Sequence, residues 1–336
     1  MSYTWLSKYR SELMGVAMIW VMLFHAWLLD LRLPVLKKLR ELGFGGVDIF
    51  LFLSALGLAM SLARREQPYG TFVQRRFSRV LPAYYLVVPL YALWQWWTGA
   101  IPLSTVGWDL TLLAYWVRAE GAFNWYIPAL LVFYLLTPPC VALLRRVRHR
   151  FLLALAVTVG GVALCQWMTA LNLWGWLDFF YRVPIYFIGF WVGLMATEDR
   201  KISIPEALGW LALLGAGMAF LALRKYSPTY VATCYLFIFT TVPCCLLGAF
   251  CLEKLPLEWL AKPLRLLGQC SLEIYLLNAS LFIATNQILS KLTPGAAYYG
   301  YYFCVFVLNI AMGVGLHFAM EWGRKAVSGF FKERKA

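Results

Sequence analysis

The chain has 336 residues, a formal net charge of +14, and 62% hydrophobic against 14% charged residues. A soluble domain has roughly 45–50% apolar and about 25% charged residues, so this chain lacks the charge to cover a water-facing surface. The balance excludes an ordinary soluble enzyme. The basic residues lie in the gaps between apolar runs, which argues for a lipid bilayer and against a nucleic-acid partner.

Apolar runs of about 20 residues are long enough to cross a hydrocarbon core about 30 Å thick. The first such run, at about 12–30, follows Lys8 and Arg10 and contains His25. It has no small-x-small cleavage site before Asp30 and reads as a retained helix, not a signal peptide. Further helices are expected at about 46–63, 80–97, 125–143, 152–170, 180–196, 207–223, 230–252, 269–288 and 298–320. A shorter segment at about 105–117 is expected to lie at the interface or re-enter. No long polar tract, repeat or linker divides the chain. The expected fold is an all-α membrane protein, a bundle of about ten transmembrane helices. It forms one integral-membrane domain over 1–336 with a short basic tail at about 324–336.

Charge placement orients this bundle. With a cytoplasmic N-terminus, the inner segments hold Lys8 and Arg10, then Arg64, Arg65, Arg75, Arg76 and Arg79, then Arg145, Arg146, Arg148 and Arg150. Arg200, Lys201, Lys254, Lys262, Arg265 and the basic residues of the tail continue the series, so most of the 30 basic residues face one side. Both termini are therefore expected in the cytoplasm. The first outer loop fits this pattern least well, because it carries Arg32, Lys37, Lys38 and Arg40. Trp94, Trp96 and Trp97 read as part of an interfacial aromatic belt. The eight cysteines form no CxxC pair and read as small buried hydrophobes, and three histidines give no histidine-rich metal site.

Ionisable groups inside a membrane helix are costly, so each is a functional candidate. His25 lies near the outer end of helix one, and Asp48 lies just inside the outer start of helix two. A carboxylate beside an imidazole fixes its tautomer and raises its basicity, as a general base acting on a hydroxyl requires. The same pair reads equally well as polar glue between helices. Arg182, with Asp178 nearby, would orient an acceptor or stabilise an oxyanion, or would snorkel to the interface. Gln74-Arg75-Arg76-Phe77-Ser78-Arg79-Val80-Leu81-Pro82 precedes helix three, and its three arginines suit nucleotide phosphates or a topogenic basic loop. Trp125 and Tyr126, after Asn124, suit a sugar or acyl pocket or an aromatic belt. Glu273 and Asn278 on helix nine and Asn309 on helix ten are further pocket or glue candidates. His317 and Glu321 are one turn apart and would pair locally.

Six segments in order resemble the acyltransferase family 3 of membrane proteins, from about residue 10 to 280. Gly15-Val16-Ala17 with Leu23-Phe24-His25-Ala26 resembles the family's first helix, and Gly46-Val47-Asp48-Ile49-Phe50-Leu51-Phe52-Leu53-Ser54 its second. Arg76-Phe77-Ser78-Arg79-Val80-Leu81-Pro82 resembles its RxxR-x-x-P element, and Asn124-Trp125-Tyr126 with Phe133-Tyr134 its WY…FY stretch. Arg182-Val183-Pro184-Ile185-Tyr186-Phe187-Ile188-Gly189 resembles its R-x-P…F-x-x-G segment, and Ser271-Leu272-Glu273-Ile274-Tyr275-Leu276-Leu277 its SYxIYL element.

The resemblance implies ten helices, cytoplasmic termini, and transfer of an acyl group, most commonly acetyl, from acyl-coenzyme A. Acceptors in the family are usually hydroxyls of exported polysaccharides, lipid-linked sugars or other envelope molecules, which implies a bacterial cytoplasmic membrane. It also implies a catalytic role for His25 and a donor-binding role for Arg76 and Arg79, with Arg75 beside them. No metal is implied. Two positions depart from the family pattern. Met14 stands where the family commonly has an arginine, and Arg10, one helical turn earlier, shares its face and is the candidate substitute. Asn278 stands where the SYxIYL element is often followed by a histidine. The rival from another class is a transporter or flippase-like protein, which also keeps His, Asp and Arg within the membrane but has no need of a coenzyme A site.

Overall fold

Hydrocarbon offers no water to satisfy backbone N–H and C=O groups, so long apolar runs close their hydrogen bonds internally as helices. The computed structural model describes residues 1–118, 125–223, 230–289 and 295–333, and among these the chain is almost entirely helical. In chain order the helices are α1 (Thr4–Lys8), α2 (Arg10–His25), α3 (Pro34–Glu41), α4 (Gly46–Arg64), α5 (Tyr69–Trp97), α6 (Leu103–Leu110), α7 (Ala114–Arg118) and α8 (Tyr126–Arg146). They continue with α9 (Arg150–Ala170), α10 (Leu177–Phe180), α11 (Val183–Thr197), α12 (Ile204–Leu223), α13 (Tyr230–Lys254), α14 (Glu258–Gln269), α15 (Ser271–Leu289) and α16 (Ala296–Glu333).

Each of the ten expected stretches overlaps a helix, but the first helix ends at His25 and not at about residue 30. Among the described residues, seven helical segments are long and apolar enough to cross a membrane: Gly43–Arg64, Tyr126–Arg146, Arg150–Ala170, Trp174–Thr197, Ile204–Ala222, Tyr235–Lys254 and Ala296–Ala326. Helix α2 has only 16 residues, and the apolar part of α5 is diluted by prolines, tyrosines, tryptophans and a glutamine; neither these two nor α15 is among the seven. The segment expected at about 105–117 is two short helices, α6 and α7. Helix α5 begins eleven residues earlier than expected, which puts the arginine segment on a helix and not in a loop. Helix α14 was not expected at all.

The pair α4 and α11 forms the buried centre of the bundle, while α9 and α12 expose most of their apolar side chains at its edge. The central pair approaches closely because small residues repeat every four positions on both helices. A methyl group added at Gly189 would sit 2.6 Å from the Phe52 carbonyl and 2.7 Å from Ala55 Cβ. One added at Gly193 would sit 2.6 Å from the Leu56 carbonyl and 3.0 Å from Ala59 Cβ. Such small-xxx-small contacts let helices associate where lipid removes the ordinary hydrophobic drive. Exposed Leu90, Val159, Leu208, Phe303 and Trp322 stud the outer faces, as expected of a surface solvated by acyl chains.

Helix α14 lies along α2 and is fastened there by charge. Glu12, buried in the first turn of α2, accepts from the Arg265 guanidinium at 2.6 and 2.8 Å. Gly268 packs directly against the Ser11 backbone. This contact carries the chain into α15 beside the site described next.

Candidate active site

A cavity of about 510 Å³ opens between α2, α4, α5, α8, α14, α15 and α16. Its cationic wall comes from Arg10, Arg76 and Arg79. Helical geometry explains the choice of arginines. Arg76 shares the buried face of α5 with Phe72, Val80 and Ala83, and Arg79 lies three positions on at the edge of that face. Arg75 is one position further round, and its guanidinium instead donates to the Gln67 side chain at 3.2 Å in an exposed position. The sequence expectation that Arg75 joins the anion site is therefore corrected: the residue does not line the cavity.

Arg10 takes a place beside Met14 on the cavity wall. Its guanidinium lies against Gly57 of α4, where any side chain would collide with it, and it feels the charges of Arg76 and Arg79. Among the described residues none of these three arginines makes an ion pair, and the Arg76 Nε is buried without a hydrogen-bond partner. Three cations held together without carboxylate partners favour a polyanionic ligand.

Tyr126 and Tyr275 also line the cavity, with ring centroids 4.8 Å apart. Beyond them lie the other predicted polar residues, in two groups. His25 is the last residue of α2, half-buried, with its ring 6.5 Å from Tyr275 and 5.5 Å from Phe24. The polar groups acting on it are the Asn278 side chain and the Val21 backbone, and its Nδ1 is buried without a well-aligned hydrogen bond. Asn278 is fully buried, and neither of its amide atoms is otherwise satisfied among the described residues.

The second group centres on Arg182, which is only 1% exposed. Its Nε faces Asp48 Oδ2 at 3.4 Å, an ion pair without an aligned hydrogen bond. Its Nη1 donates to the Asp178 carbonyl at 2.8 Å and faces the Asp178 carboxylate at 3.4 Å, and its Nη2 reaches the Phe44 carbonyl at 3.5 Å. The guanidinium is sandwiched over Trp125 at 4.5 Å and Tyr181 at 4.3 Å. Short helix α7 supports this arrangement: the Tyr115 hydroxyl donates to the Trp176 carbonyl at 3.0 Å and accepts from the Phe179 N–H at 3.1 Å. Asp48 thus belongs to Arg182. The expected His25–Asp48 pair does not form, because a buried carboxylate takes the full positive charge of a guanidinium over a neutral imidazole. An amide, Asn278, stands at His25 in its place.

Glu273 does not line the cavity but stands behind it, with Oε1 3.2 Å from His317 Nδ1. His317 and Glu321 do line it, and they lie 3.9 Å apart. Sequence reasoning set His317 and Glu321 aside as a local pair. Their one-turn spacing was visible, but the contact with Glu273 depends on the packing of α15 on α16. Tyr275 and Tyr134 were visible only as members of motif segments. Asn124 lies outside the described residues.

The helical bundle thus holds an arginine-lined cavity whose tyrosine wall separates it from a half-buried histidine and a caged arginine. A family model described as an acyltransferase domain matches residues 13–317, and the chain belongs to this family of membrane acyltransferases. No curated protein and no solved structure matches the chain.

Proposed function

We propose that the protein transfers an acyl group, acetyl being the family's commonest, from acyl-coenzyme A to a hydroxyl of an envelope carbohydrate or lipid-linked sugar. The observation that carries this reading is the cavity in which Arg10, Arg76 and Arg79 stand together without anionic partners. Phosphates of the donor engage these arginines, with Arg10 serving where the family's arginine is replaced by Met14. The thioester arm follows the cavity to Tyr126 and Tyr275, whose rings form its wall toward His25.

His25 then acts on the acceptor hydroxyl. It takes the hydroxyl proton as the oxygen attacks the thioester carbonyl, and the thiolate leaves and is protonated; alternatively it takes the acyl group first and passes it on. Asn278 orients the imidazole. Arg182, held by Asp48 and Asp178, supplies a fixed positive field near the developing oxyanion or the acceptor. In this reading Asp48 is a positioning residue for Arg182, and Trp125 joins the arginine group to Tyr126 through ring contact at 5.8 Å. In this reading both termini lie on the cytoplasmic side of a bacterial cytoplasmic membrane, so the donor enters from inside and the acceptor from outside.

The test is acyl-coenzyme A binding by the purified, detergent-solubilised protein. Arg76→Ala with Arg79→Ala should weaken binding by about 100-fold or more, at about 1.5–3 kcal/mol for each charge-assisted contact. His25→Ala should leave binding intact. Binding unaffected by the double substitution would remove the cavity from the donor path.

A further inference from the structure

Helix α3 is the exception in the charge pattern, since it sits at the His25 end of the bundle and carries lysines and an arginine. It also buries none of its residues. At 3.6 residues per turn, Val35, Leu36 and Leu39 share an arc of ~100°, and Lys37, Lys38, Arg40 and Glu41 occupy the rest. The apolar side chains are bare: Val35 is 78% exposed, and Leu36 and Leu39 are also exposed. Leu33, just before the helix, is exposed too.

The helix is nonetheless held firmly in place. The Trp20 indole N–H donates to the Leu39 carbonyl at 2.7 Å, and Arg40 donates to the Leu29 carbonyl. The preceding turn is tied to the start of α16, where the Tyr298 hydroxyl accepts from the Asp30 N–H at 3.1 Å and Tyr299 donates to the Asp30 carbonyl at 3.1 Å. Trp20 lies five residues before the end of α2, so this bond fixes α3 against the last turns of that helix. A helix with an apolar arc flanked by cations is the form that lies in the headgroup and acyl boundary. Two acidic groups, Asp30 and Glu41, accompany the four cations, and Glu41 is paired with Lys38 at 3.3 Å. Arg32 and Lys37 are exposed and make no ion pair among the described residues.

We propose that α3 docks on anionic phospholipid of the leaflet at the His25 end. Val35, Leu36 and Leu39 enter the acyl region, and Arg32, Lys37 and Lys38 engage the headgroup phosphates. A polar or water-facing loop would leave three contiguous apolar residues without cover. A protein partner would not explain why cations flank the apolar arc, where each would be attracted to an anionic surface. The docked helix would anchor the connection between His25 and Phe44, whose carbonyl receives Arg182.

The test places a benzophenone-bearing amino acid at position 35 of the full-length protein in bilayer nanodiscs of phosphatidylcholine and phosphatidylglycerol. Crosslinked adducts are then read by mass spectrometry. The expected result is lipid adducts in which phosphatidylglycerol is enriched several-fold over its share of the bilayer. The combined R32Q, K37Q and K38Q substitutions should keep the lipid adducts and return that share to the bulk value. These side chains are on the surface, and retained thermal stability of the variant confirms folding. Adducts with a protein segment, no lipid adduct, or phosphatidylglycerol only at its bulk share with all cations present would each overturn the proposal.

Discussion

Arg182 is the residue whose environment is most demanding. A guanidinium that is 1% exposed must be fully compensated, and here two carboxylates, two carbonyls and two aromatic faces do so. Removing one partner of a buried ion pair typically costs about 3–5 kcal/mol, whereas an apolar replacement of both is often neutral. Asp48→Ala should therefore lower the thermal midpoint sharply, and Asp48→Leu with Arg182→Met should recover most of that loss while abolishing activity. A melting series in detergent checks this; equal midpoints for the wild type and Asp48→Ala would show that the pair contributes nothing. At the same scale the sequence showed which polar residues lie in apolar runs better than it showed which of them touch. His25, Asp48, Arg182 and Asn278 were all visible as polar groups in apolar runs. Their pairing was not, because α2, α4, α11 and α15 are far apart in sequence, and the choice between imidazole and guanidinium for Asp48 is made only by three-dimensional packing.

The helices repeat the lesson one level up. Apolar runs gave the long helices, but α14 was missed because Lys262, Pro263 and Arg265 break its apolar pattern. Its helix forms because Glu12 and Gly268 hold it along α2. The start of α5 was placed too late for the same reason: charge there reads as loop, yet the arginines line a cavity on a helical face. The α4–α11 contact carries its own prediction. Gly193→Leu would drive a side chain into the Leu56 carbonyl and Ala59, and overpacking of this kind commonly costs about 1–3 kcal/mol or more. The yield of monodisperse protein should fall, and size-exclusion chromatography reads it. Wild-type behaviour in that variant would mean that the two helices are free to part.

For the molecule as a whole, composition pointed to a membrane protein and the apolar runs to helices, and the family match over residues 13–317 agrees with the motif order read along the chain. The cavity volume was not legible, since it is built from seven helices and no single one of them. The resulting architecture sets an arginine cavity and a half-buried histidine on either side of a tyrosine pair, and in the proposed reaction an acyl group crosses between them. The direct measurement supplies labelled acyl-coenzyme A to membranes containing the protein and counts label in envelope material, for the wild type and His25→Ala. Loss of a positioned general base costs about 10²–10⁴-fold, so His25→Ala should transfer at least 100-fold less while still binding the donor. Transfer by His25→Ala at the wild-type rate would contradict the claim.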